Sequence, residues 1–339
     1  KVSGSNHSVG KIDKVFKSQL DSIAKELMSS NGKSVVLVGG NSGANAYLSA
    51  ALNAALKNIG TTIRPDKPIY LRSGNDRAFE NAITDMNAGS VGVVIVAGPN
   101  PVYNRVGFDS ALKNVNYSLS LNDRFDETAG ATTAAAPVPH YLESWADYIP
   151  TNLDFSVSQP VIRPLFNSKP TIEVLSELLE KNKSAKDLVK ESVLAQGLNW
   201  SQTLHDGGAS LKIDARIPSF MEISERALAG VEIAVETAGS VDSGAMELSL
   251  YQKTVGAGYQ SNNPWLHELP DPISRACWDN YLTISAADAL SMGFVNETQS
   301  NGALDGSIAN IQAGELSLNN VPVLIQPGQA SGTVGLALG

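Results

Sequence analysis

Short, wholly apolar runs that alternate with amphipathic stretches constrain this chain more than any other feature. Val91–Ala97 is one such run, and it stops abruptly at Gly98-Pro99-Asn100-Pro101. A second run, Tyr117-Ser-Leu-Ser-Leu121, with serines at alternate positions, leads within a few residues to Asp123-Arg-Phe-Asp-Glu-Thr-Ala129. A strand with no polar face must be covered on both sides, which belongs to parallel sheets with helical crossovers. Ser34–Val38 and Pro68–Leu71 read as further short strands of this kind. Between them the spacing predicts helices over 11–30 (Ile12, Phe16, Leu20, Ile23, Leu27 on one face), Ala44–Lys57 and Arg77–Asn87, with a helical stretch at Asp109–Lys113. Asn75 or Asp76 is the expected N-cap of the third helix. Ala46, Ser49, Ala50, Asn53 and Ala54 are small enough to seat the second helix closely on a sheet, and Gly60 is placed to end it.

The pattern changes near residue 150. Pro160, Pro164 and Pro170 punctuate a connecting segment, and helices are expected over Thr171–Lys181 and Ala185–Gln196. Phe220–Ala238 is less regular. Met246–Tyr251 alternates like a strand, and the tail from Gly314 reads as hairpin-linked β structure turning at Asn319-Asn320. The expected organisation is an α/β domain with a Rossmann-like parallel sheet over 1–150, a mixed helical segment over 151–260, and a loop leading into β-barrel structure over 261–339. The apolar pattern continues to Gly339, so the chain reads as a segment of a longer polypeptide.

Composition narrows the chemistry. At 339 residues, with 42% hydrophobic side chains, the chain can build a substantial core. A net charge of −9 argues against nucleic acid, whose phosphates require clustered Lys and Arg. The densest basic run, Lys181–Lys190, has Asp187 within it and Glu180 and Glu191 at its ends, as expected of a solvated helix face. One cysteine, Cys277, excludes a disulfide framework and a cysteine-ligated zinc or iron–sulfur site within these residues. The four histidines, His7, His140, His205 and His267, are scattered. No apolar stretch reaches the ~20 residues of a membrane span.

Several motifs invite a functional reading. Gly39–Gly43 lies between a strand and a helix, where free N–H groups favour an anion, but it lacks the Lys-Ser/Thr of a P-loop, and a tight turn explains it better. Gly40-Asn-Ser42-Gly-Ala44 approximates a nucleophile elbow, with His140 or His205 as distant candidate bases, a minor serine-hydrolase alternative. Asn100, at the carboxyl end of a central strand, is placed either to bond a ligand or to cap its own turn. His140 with Glu143 is read as a structural corner in preference to an acid/base pair. Trp265, Pro270, Pro272 and Trp278 suit docking against another domain or subunit, and Cys277 is expected to be a packed thiol.

The order Gly98-x-Asn100-Pro101, Asp123-Arg-Phe-Asp-Glu127-Thr128-Ala129 and a proline-containing stretch to Glu143 resembles the molybdopterin oxidoreductase superfamily. Ile284–Gly293 followed by β structure resembles the start of that family's C-terminal β-barrel domain. Pro139–Asp147, Gln159–Phe166, Asn263–Pro272 and Val323–Gly328 look like the large iron–sulfur subunit of alternative complex III, a bacterial quinol-oxidising complex. The resemblance covers nearly the whole chain. It implies a degenerate molybdopterin-like portion with no molybdopterin and no catalytic residue. Iron–sulfur clusters are then expected elsewhere in the parent polypeptide. Implied partners are the cytochrome c-type and quinol-binding membrane subunits, at the periplasmic face of the inner membrane. An active molybdopterin oxidoreductase is the main alternative. The positions matching the old cofactor loops are Gly98, Asn100, Pro101, Asp123, Glu127 and Thr128, expected to be vestigial.

Overall fold

The computed structural model describes residues 14–39, 42–71, 74–211, 219–230, 245–253, 260 and 262–338. It is a mixed α/β structure whose chain divides into two compact units. One comprises residues 1–74, 145–159 and 186–240; the other comprises 75–144, 160–185 and 241–339.

The first unit opens with α1 (Lys14–Ser29) and α2 (Gly43–Ala55). Of the face predicted for α1, Phe16, Leu20 and Ile23 are exposed, while Ile12 falls outside the described residues, as do Gly40 and Asn41 of the glycine loop. The run Ser34–Val38 joins no sheet ladder among the described residues. Its backbone is held by side chains of α2 instead. The Asn53 carboxamide accepts from the Val36 N–H (2.9 Å) and donates to the Val36 carbonyl (2.8 Å), imitating one edge of a neighbouring strand. The Ser49 hydroxyl donates to the same carbonyl at 2.9 Å. Ser49 and Asn53 thus serve as hydrogen-bonding groups, beyond the close packing that their size suggests. Ala46, expected against a sheet, is exposed. α2 ends with Lys57 in the left-handed region (φ 55°), three residues before the predicted Gly60. Pro68–Leu71 makes only a single antiparallel bridge, Ile69 to Thr151. The strands Ala146–Thr151, Asp154–Ser158 and Gly208–Ser210 form an antiparallel sheet whose core is Phe155, Val193 and Leu211.

The second unit contains the expected parallel sheet, with three strands: β1 (Val93–Ala97), β2 (Tyr117–Asn122) and β3 (Ala134–Pro137), in that order. Val93 pairs with Tyr117 and Leu119 with Ala134, so consecutive strands are neighbours. Crossovers pass through α4 (Pro101–Asn104) and α5 (Phe108–Leu112), then α6 (Glu127–Ala131). α3 (Asp76–Asn87) precedes the sheet, and its N-cap is Asn75, whose side chain accepts from the Ala78 N–H at 3.0 Å. Met86, Val96, Phe108, Ala111 and Leu112 form the core, with Phe79 stacked on Phe108 at 5.7 Å. Alternate side chains of β1 point to opposite faces. Val94 and Val96 enter this core, whereas Val93 and Ile95 remain exposed.

The C-terminal part is a five-stranded mixed sheet in the order Ile308–Ala313, Leu316–Ile325, Leu282–Ile284, Thr333–Leu338, Glu247–Gln252. Leu282, Ile284, Ala289, Val321, Val323 and Val334 are its core. It is an open sheet; no closed barrel forms among the described residues. Asn319-Asn320 is not a hairpin turn. The strand continues through it, and pairing passes from Val321–Ala309 to Leu318–Ile311, leaving two residues, Asn319 and Asn320, opposite one, Asn310. Asn320 does take the positive φ (59°) that its residue type permits, but in a bulge, where its N–H meets the Asn310 side chain at 3.0 Å. The hairpin turns instead at Gly314 (φ 60°).

Candidate functional site

The site is assembled where β1 and β2 end. Gly98 closes β1 with φ 90°, a conformation that favours glycine, and its N–H reaches the Leu121 carbonyl at 2.9 Å. Pro101, buried, opens α4 at a position where no N–H is needed. Asn100, between them, is buried, yet its side chain does not cap α4. It reaches across to the next crossover. Its Oδ1 accepts from the Thr128 hydroxyl (2.7 Å) and the Thr128 N–H (3.2 Å), and its Nδ2 donates to Glu127 Oε2 at 2.7 Å. Thr128, wholly buried, in turn accepts from the Val102 N–H at 3.1 Å. Of the two readings open for Asn100, the turn cap does not describe it.

Glu127 has a second donor. Asn262, 135 residues further along, donates from Nδ2 to the same Oε2 at 2.8 Å. Partial burial pushes the Glu127 carboxyl upward. Hydrogen bonds from Asn100, the Glu127 backbone and Asn262 outweigh it and hold the group below its ordinary value.

Asp123 stands apart from this cluster. Its N–H donates to Asn122 Oδ1 (2.8 Å) and its carboxylate lies 3.7 Å from Arg124. Asn122 also donates to Asp126 (2.6 Å), the N-cap of α6, whose other oxygen accepts from the Ala129 N–H. Beside them, between the ends of β2 and β3, is a depression of about 140 Å³ bounded by Asp123, Arg124, Phe125 and Pro137. The structure therefore brings together Gly98, Asn100, Pro101, Glu127 and Thr128, with Asp123 on the neighbouring rim. Asn262, Asn122 and Asp126 were not singled out by the sequence reading. Asp126 carried a usable signal as an acidic residue at a helix start; Asn262 carried none.

The remaining motifs make local contacts. Ser42 is the N-cap of α2, its hydroxyl accepting from the Asn45 N–H at 3.3 Å. His140 Nδ1 accepts from the Leu142 N–H, and His205 Nδ1 lies 2.8 Å from Asp206. Glu143, buried, accepts from the His140 N–H (3.0 Å) and the Leu165 N–H (3.1 Å), the expected structural corner. Cys277 is exposed rather than packed, with its thiol 3.3 Å from the Glu268 carbonyl. Trp265 heads the short helix Pro264–Glu268 and is 82% exposed. His267 stacks on Trp278 at 5.9 Å. Among the described residues no three His, Cys, Asp or Glu side chains converge as metal ligands, and no helix is long and apolar enough to cross a membrane.

No protein-family model matches the sequence, and no curated protein matches it. Among solved structures the chain is similar to acetylene hydratase from Pelobacter acetylenicus, at 14% identity and a TM-score of 0.48. The match covers 76% of this chain and 38% of that one, so the chain spans well under half the length of the structure it matches.

Proposed function

We propose that this chain is a non-catalytic scaffold segment of the iron–sulfur subunit of a quinol-oxidising respiratory complex of the alternative complex III type. Its role is to hold cluster-bearing parts of the parent polypeptide at fixed separation from membrane and cytochrome c-type subunits, at the periplasmic face. The observation that carries this reading is the hydrogen-bond chain Asn262–Glu127–Asn100–Thr128. Polar groups at the carboxyl ends of parallel strands are where open α/β sheets grip ligands, and here they are spent on one another.

The fit of a pterin dinucleotide follows from the same residues. Its pyrophosphate would bring negative charge onto Glu127, a carboxylate held ionised, and the amide donors of Asn100 and Asn262 already serve that carboxylate. The adjoining depression, about 140 Å³, is smaller than the ~300–1,000 Å³ of ordinary small-molecule sites. Cys277, the only cysteine, is exposed and lies against a backbone carbonyl. The carboxylate and the small depression favour a scaffold over an active molybdopterin enzyme whose metal ligand would lie outside this chain. Trp265, Ile273 and Trp278 add exposed apolar surface of the kind that packs against a partner.

Metal analysis of the intact parent complex tests the reading. Iron without molybdenum is expected, and stoichiometric molybdenum would overturn it. Trp265→Ala should weaken assembly while leaving the α/β fold intact. A complex structure with both indoles facing water would remove the docking argument.

A further inference from the structure

The Glu127 carboxylate joins two segments that the chain keeps far apart. On one side is Asn100 in the turn after β1; on the other is Asn262, immediately before the short helix Pro264–Glu268. Asn100 is buried and fixed by Thr128, so Glu127 is anchored from beneath. From Asn262 the hold is passed on through local bonds. The Asn263 side chain accepts from the Trp265 N–H at 3.1 Å, and the Asn263 carbonyl accepts from the Leu266 and His267 N–H groups. The helix is tied in turn to the following loop, because the Trp278 N–H donates to the His267 carbonyl at 2.8 Å.

We propose that Glu127 is a positioning residue, a clamp that fixes residues 262–268, and with them the exposed Trp265 surface, to the carboxyl edge of the parallel sheet. This deepens the scaffold reading and rests on it for the purpose of the held segment. It gives the loop after β2 a present task. A carboxylate where a sheet would ordinarily receive an anion is unexplained if the loop is only a relic. It is explained if its oxygen is the acceptor for two amides arriving from separate segments of the unit.

The clamp is tested on the intact chain by amide hydrogen exchange of Glu127→Ala, Asn262→Ala and the double variant. Either single change should speed exchange at Leu266 and His267 on the order of ten-fold, the effect of losing one hydrogen bond to a charged group. The double variant should add nothing at those amides, since both changes remove the same bond. Asn262→Ala, which leaves the Asn100–Thr128 bonds in place, should not alter exchange along β1 and β2. Unchanged exchange at Leu266 and His267 in both single variants overturns the proposal, as does an Asn262→Ala effect spread equally over the sheet. Because the measurement needs no partner, its failure leaves the docking role of Trp265 standing. Conversely, unimpaired assembly of a Trp265→Ala complex would sink the docking role and leave the clamp intact.

Discussion

Replacing Asn100 by alanine is the most informative perturbation. One ordinary hydrogen bond is worth ~1 kcal/mol, and a residue that merely caps its own turn would lose about that. The structure gives Asn100 more to lose. Its Nδ2 bond to the ionised Glu127 is charge-assisted, and such bonds are worth ~1.5–3 kcal/mol. Its Oδ1 accepts two bonds from Thr128, which is wholly buried, so truncation leaves the Thr128 N–H and hydroxyl without their acceptor. An unsatisfied buried group costs ~1–3 kcal/mol, partly offset if water enters the space left behind. These effects are not additive, and together they give a loss of about 3 kcal/mol. The assay is native-state hydrogen exchange of the amides in the β1–β2 ladder, which reads this unit without requiring both units to unfold together. Asn100→Asp keeps an acceptor for Thr128 but sets a carboxylate against Glu127. It should be at least as damaging at neutral pH, and adding Glu127→Gln should rescue it by restoring a donor. A loss below about 1 kcal/mol for Asn100→Ala, or no rescue of the aspartate by Glu127→Gln, would refute the reasoning.

Three further outcomes follow from the structure. Gly335→Ala should cost ~1–3 kcal/mol by overpacking, because the new Cβ would lie 2.4 Å from the buried Thr283 Oγ1 and 3.3 Å from the Tyr251 ring; thermal unfolding reads it, and an unchanged midpoint would show that the sheet gives way freely. Ser42→Ala should remove an N-cap worth ~1 kcal/mol, seen as faster amide exchange in the first turn of α2, and native Ser42 should not be labelled by a fluorophosphonate; covalent labelling would revive a hydrolase. Glu127 is held below its ordinary value, so its contribution is complete above the usual carboxylate range of ~4 and is lost as pH falls through the depressed value. Protection of Leu266 and His267 should therefore fail only in acid, and Asn100→Ala should move that failure to higher pH. Protection lost near neutrality in the native chain would contradict the sign.

Periodicity alone places α3, β1 and β2, because each is a local pattern with a local cap or turn: Asn75 at the start of α3, Gly98 at the end of β1. The same reasoning brings Asn100, Glu127 and Thr128 to one end of the sheet, since parallel strands must deliver their following loops to the same edge. It could not say what those side chains bond to, which depends on atoms meeting across 27 or 28 residues. Ser34–Val38 shows the limit most plainly. Its apolar pattern predicts a strand, but whether its backbone pairs with a strand or with Asn53 is not encoded in the run itself. Asn319-Asn320 is the same case: the residue type permits positive φ, and the partner strand decides between a turn and a bulge. The sequence by itself determined α3, the parallel strands β1 and β2, and the edge that their following loops share, because these are consequences of local geometry and hydrophobic spacing. Only the tertiary structure decided that Asn262 bonds to Glu127, since a hydrogen bond between residues 135 apart leaves no periodic trace in either segment.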